Sequence, residues 1–174
     1  MNVLTSDRNI VLIGMPGVGK STVGVLLAKA LSRKFIDTDL IIQAREGRRL
    51  QDIIDAEGMA AFCRIEERQV LDLACEGAVV ATGGSVVYSA PAMQHLKSAG
   101  VAVALTLDLP ELQRRLMNLD SRGVVMAPGQ TLEALFEERA ALYRRFADIT
   151  IDCGGMNHEE VVARTLEALR AYGT

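Results

Sequence analysis

Gly14-Met15-Pro16-Gly17-Val18-Gly19-Lys20-Ser21 is the stretch whose reading decides the fold. It matches G-x-x-x-x-G-K-[ST], the pattern of a phosphate-binding loop. Glycines let the backbone curl until several N–H groups point at one anion. A helix opening directly behind adds its free N–H groups and the positive end of its dipole. The surroundings fit: residues 9–13 are short, apolar and β-branched, as a buried parallel strand is, and residues 21–31 carry a helical period. A chance glycine turn has no reason to lie between a strand and a helix. The loop is therefore expected to bind ATP with Mg²⁺ through residues 14–22. Gly17, Val18, Gly19 and Thr22 would line the nucleotide, Lys20 would reach the β- and γ-phosphates, and Ser21 would reach the metal.

Outward from the loop, apolar runs alternate with helical segments. Further strands are expected at 35–37, 78–82, 101–107 and 149–152. Helices are expected at 40–45, 50–56, 60–75, 90–99, 109–119, 131–147 and 157–172. Residues 120–130 show no clear period and read as a mobile loop. Strand–helix alternation predicts an α/β fold, a parallel sheet with helices on both faces. Ligands then gather at the carboxyl ends of the strands. The glycine loop, Asp37, Gly83-Gly84 and Asp108 all follow strand ends. The 174 residues fit one domain.

Bulk properties exclude several classes. A net charge of −3 and 4% aromatic residues give no basis for nucleic-acid binding by bulk charge or base stacking. No apolar run reaches the ~18 residues of a membrane span, and the first nine residues lack the features of a signal peptide. Cys63, Cys75 and Cys153 are odd in number and have no C-x-x-C spacing, so they read as free thiols in a reducing, cytoplasmic setting. His95 and His158 read as surface residues on helices.

A phosphate loop alone does not separate kinases from GTPases or motors, but the chain has no N-K-x-D guanine motif. Phe35-Ile36-Asp37-Thr38-Asp39 supplies the next clue. Two carboxylates two residues apart at a strand end can divide labour: Asp37 holding a Mg²⁺ water, Asp39 accepting a hydrogen bond from an attacking hydroxyl. The plainer reading is that Asp39 caps a helix beginning at residue 40.

Taken together, these residues resemble the shikimate kinase family. The matching pieces are the phosphate loop, Asp37-Thr38-Asp39, Phe62 with Glu66, Ala81-Thr82-Gly83-Gly84, Arg122, and Glu138 through Tyr143. The resemblance covers nearly the whole chain. It implies a P-loop kinase with strand order 2-3-1-4-5, a substrate-binding segment near 40–75 and a lid near 119–130. It further implies transfer of the ATP γ-phosphoryl group to a shikimate hydroxyl, in aromatic amino acid biosynthesis, by a monomer. Asp39 would orient or deprotonate the acceptor, Gly83 and Gly84 would offer backbone contacts, and Arg139 would grip its carboxylate. Arg115 would lie against the adenine and Arg122 would close over the phosphates; the loop near residues 153–157 would hold the adenine's other side.

Three positions depart from the family pattern. F-R-x-x-E is here Phe62-Cys63-Arg64-Ile65-Glu66, the third glycine is Ser85, and the lid reads Arg122-Gly123-Val124-Val125. The first removes a charge-assisted hydrogen bond worth about 1.5–3 kcal/mol from the carboxylate site. Two rival readings therefore stand beside shikimate phosphorylation: a kinase of another small hydroxylated metabolite, and a nucleotide-binding regulatory protein without transfer.

Overall fold

The alternating pattern is realised as a parallel sheet of five strands. The computed structural model describes residues 7–118 and 129–172. In chain order these hold β1 (Asn9–Ile13), α1 (Lys20–Leu31), β2 (Lys34–Asp37), α2 (Thr38–Glu46), α3 (Leu50–Glu57), α4 (Met59–Leu71) and β3 (Ala78–Ala81). A 3₁₀ turn at Val86–Tyr88 follows, then α5 (Ala90–Ala99), β4 (Gly100–Thr106), α6 (Leu109–Asn118), α7 (Leu132–Phe146), β5 (Ile149–Asp152) and α8 (His158–Tyr172). The strand order is β2-β3-β1-β4-β5, every neighbouring pair parallel. This is the expected order.

β1 lies at the centre, with Ile10 opposite Val79 on one side and Val101 on the other. All five of its residues are buried, which is why the stretch reads as an unbroken apolar run rather than an alternating one. α1 packs on β1 to β3 and against α8, while α5 packs on β1 and β4 and against α4. The main core includes Ile10, Leu12, Leu27, Val79, Val103 and Leu105. A separate small cluster of Ile42, Ile53, Phe62 and Ile65 ties α2, α3 and α4 to one another. No helix among the described residues is long and apolar enough to cross a membrane.

Several boundaries differ from the sequence reading, each for a local reason. α2 begins at Thr38 because Asp37, not Asp39, is its cap: Asp37 Oδ1 accepts from the backbone N–H of Asp39 (3.0 Å) and of Leu40 (3.3 Å). α4 stops at Leu71, so Cys75 lies outside it, with its carbonyl accepting from Asn9 Nδ2 at 2.8 Å. Val86-Val87-Tyr88 is β-favouring in composition but forms a 3₁₀ turn, fixed by backbone bonds from Tyr88 to Ser85 and from Ser89 to Val86. Thr131 caps α7, its hydroxyl accepting from the Ala134 N–H at 3.2 Å. The expected lid near 119–130, with Arg122, Gly123, Val124 and Val125, falls almost wholly outside the described residues.

Candidate active site

The turn after β1 is shaped by glycines that nothing else could replace. Gly14 has φ +146°, and a Cβ there would sit 2.4 Å from the Leu105 carbonyl oxygen. Gly19 has φ +105° and hands the chain directly into α1. The loop thus presses against the end of β4 and presents the start of a helix to the space above the sheet.

Lys20 is 7% exposed and folds back over the loop, donating to the carbonyls of Gly14 (2.8 Å) and Met15 (2.9 Å). Burial lowers its pKa to about 8, against the pull of Asp39. An amine held this way gains a stronger partner when phosphate oxygens enter the loop. Ser21 donates its hydroxyl hydrogen bond to Asp37 Oδ2 at 2.6 Å. Asp37 therefore has one oxygen spent on the helix cap and one turned to Ser21. This hydroxyl–carboxylate pair is a set of hard oxygen donors that suits Mg²⁺ arriving with phosphates. Among the described residues no group of three His, Cys, Asp or Glu could hold a metal unaided.

A cleft of about 670 Å³ runs along the loop, bordered by Gly19, Lys20, Ser21, Asp39, Arg115 and His158 among others. Asp39 lines it half-buried, its buried Oδ1 lacking a partner among the described residues. Burial raises the Asp39 pKa to about 6, Lys20 working in the opposite direction. Arg115 is not a spare surface arginine beside Arg114. It donates to the Val18 carbonyl (3.3 Å) and to Glu111 Oε1 (2.6 Å), which sets it against the loop.

Beyond Asp39 lie Gly83 and Gly84, at the end of β3. The Gly83 N–H is donated to the Thr38 hydroxyl (3.2 Å), and the Gly84 carbonyl accepts from the Tyr143 hydroxyl (2.7 Å). Arg139 is 0% exposed, so the solvated-charge alternative for this α7 residue does not hold. Its Nε donates to the Tyr88 hydroxyl (3.2 Å), its guanidinium stands 5.2 Å from the Tyr88 ring centre, and its Nη1 would be 3.2 Å from a Cβ on Gly84. Asp39 and Arg139 thus flank one glycine pair, and Lys20 lines the same cleft as Asp39 and Gly84. Arg122 lies outside the described residues.

Sequence reasoning missed three features. His158 is exposed, as expected of a surface residue, but its Nε2 stands 3.3 Å from where a Gly19 Cβ would be, and its place on the border of the cleft is what the sequence reading lacks. Its place just after the carboxyl end of β5 was the available signal. Ser85, seen only as a missing glycine, donates to Glu66 Oε2 at 2.6 Å. Cys63 is half-buried, burial pushes its thiol pKa up, and it shares a cavity of about 120 Å³ with Arg64, Glu66, Ser85 and Tyr88. Cys63 and Arg64 therefore border one space, despite the 100° between successive helical residues. His95 plays a structural part, its ring N–H donating to the Leu73 carbonyl at 2.8 Å.

Known proteins are similar to this chain over most of its length. A family model described as shikimate kinase matches residues 16–170. A shikimate kinase from Methylococcus capsulatus is 37% identical over 174 residues, covering 98% of this chain and 97% of that one. One from Sulfurihydrogenibium sp. is 35% identical over 164 residues, covering 94% and 98%. Among solved structures, shikimate kinase from Acinetobacter baumannii in complex with shikimate superposes with a TM-score of 0.83 at 32% identity, covering 92% of this chain and 91% of that one.

Proposed function

The chain belongs to the shikimate kinase family, and we propose that it transfers the γ-phosphoryl group of ATP to a ring hydroxyl of shikimate, giving ADP and a phosphate monoester. The observation that carries the proposal is that Asp39, whose buried Oδ1 has no partner among the described residues, and the fully buried Arg139 flank Gly83-Gly84, in a cleft that Lys20 of the phosphate loop also lines.

In this reading the loop N–H groups and Lys20 hold the phosphates, Arg115 borders the nucleotide beside Val18, and Arg139 faces the acceptor's carboxylate. Asp39, ionised near neutral pH with its pKa at about 6, orients the acceptor hydroxyl and takes its proton. The hydroxyl oxygen forms the new bond to γ-phosphorus as the bond from phosphorus to the β-bridging oxygen breaks and ADP leaves. Mg²⁺ would be held by Ser21 and, through water, by Asp37, and it would neutralise charge on the phosphates. Arg122 would add a cation over the transferring group, as the family pattern implies. Gly84 stands nearest Arg139 and so fits an acceptor contact, whereas the Gly83 N–H is already engaged by Thr38. The three free cysteines suit a reducing, cytoplasmic setting, and a monomer is proposed with it.

Cys63 favours a second reading, a kinase of the same fold acting on a less anionic hydroxylated metabolite, because its thiol cannot pair with a carboxylate. Coupled ADP release with ATP, Mg²⁺ and millimolar shikimate, beside a control without acceptor, decides between them. Shikimate-dependent turnover supports the first. Turnover only with another hydroxy acid or polyol would replace it with the second.

A further inference from the structure

Glu66, on α4, is 2% exposed, and the chemistry above gives it no task. Its Oε2 accepts from the Ser85 hydroxyl. Its Oε1 is buried without a partner among the described residues, as is Asp39 Oδ1. These two oxygens converge: a Cβ on Gly83 would lie 2.2 Å from Glu66 Oε1 and 2.8 Å from Asp39 Oδ1. The Gly83 N–H is spent on the Thr38 hydroxyl. Two buried carboxylate oxygens facing one gap repel unless a proton or another donor lies between them.

We propose that Glu66 is a positioning residue that must carry a proton for an anionic acceptor to bind. Neutral, it donates from Oε1 into the gap over Gly83. Ionised, it adds a second negative charge beside Asp39 and competes for the Arg139 guanidinium that the acceptor's carboxylate needs. The inference rests on the proposed acceptor being a carboxylate. Burial pushes the Glu66 pKa up to about 7, with Asp39 of α2 adding to the rise. The Ser85 hydroxyl, Arg139 of α7 and Lys20 of α1 oppose it. Cys63 of α4 and Tyr143 of α7 also face Glu66, and both are pushed up by burial, so both stay neutral around pH 7.

The test is KM for shikimate at saturating ATP and Mg²⁺ across pH 6 to 8. If only the neutral form binds, KM rises about tenfold over that interval. Glu66→Gln keeps an oxygen for Ser85 and cannot ionise, so its KM stays flat while the KM for ATP matches the parent. Ser85→Ala removes a bond that favours the ionised form and displaces the rise to higher pH. An equal rise in Glu66→Gln and the parent, or a flat parent, overturns the proposal. Difference infrared spectra of parent minus Glu66→Gln, taken without acceptor, should show a protonated carboxyl titrating near neutrality; its absence also overturns it. A parent with no shikimate turnover at any pH would count against the acceptor, and the infrared titration would then decide whether Glu66 holds the proton.

Discussion

Replacing Cys63 by arginine tests the departure that most separates this chain from its family pattern. Cys63 borders a cavity of about 120 Å³, room for about four waters. A guanidinium reaching through it would add a cation near Arg139. A charge-assisted hydrogen bond to the acceptor's carboxylate is worth about 1.5–3 kcal/mol, or roughly 10- to 150-fold in affinity. Glu66 and Glu67 lie three and four residues along the same helix and border the same cavity, so part of the new charge is spent on them. The expected gain is therefore near the lower end, about tenfold in KM for shikimate, with KM for ATP unchanged. Steady-state kinetics at saturating ATP, beside a thermal melt, reads this directly. A folded Cys63→Arg protein with the parent's KM for shikimate would show that position 63 does not face the acceptor, and would remove the reason for doubting an intact carboxylate site.

Other perturbations have equally definite outcomes. Lys20→Ala should abolish turnover and weaken ATP binding in a titration calorimeter; near-normal kcat would refute the phosphate-loop assignment. Tyr143→Phe removes the hydrogen bond to the Gly84 carbonyl and should cost about 1–3 kcal/mol in urea unfolding, since a buried acceptor loses its partner. Glu66 binds its proton more tightly folded than unfolded, so parent stability should fall as pH rises from about 4.5 to about 7, with the full penalty present above that. The penalty is on the order of 3 kcal/mol at most. Glu66→Gln should thus gain on the parent between pH 5 and pH 8, and a constant difference would contradict the raised pKa.

The fold was legible because its decisive signals are local. A glycine turn between a β-branched run and a helical period can be read from neighbours alone, and alternation then dictates a parallel sheet. Asp39 and Arg139 were found through their place in a motif, and the structure brings both to the same glycine pair. What stayed hidden depends on distant pairs. Nothing near Arg139 in sequence says that Tyr88 would cover it, and nothing near Ser85 says that its hydroxyl would meet Glu66, 19 residues away. The helix cap went to Asp37 rather than Asp39 because β2 ends where the Asp37 side chain can reach two free N–H groups, a matter of one turn's geometry. His158 lies 139 positions after Gly19, and only the β-sheet order places them together.

The most direct test of the central claim is ³¹P NMR of the purified protein with ATP, Mg²⁺ and shikimate. Direct transfer predicts a new phosphate-monoester resonance growing in step with ADP, one for one, and no inorganic phosphate above the control without acceptor. ADP appearing with inorganic phosphate alone, at the same rate whether or not shikimate is present, would contradict it.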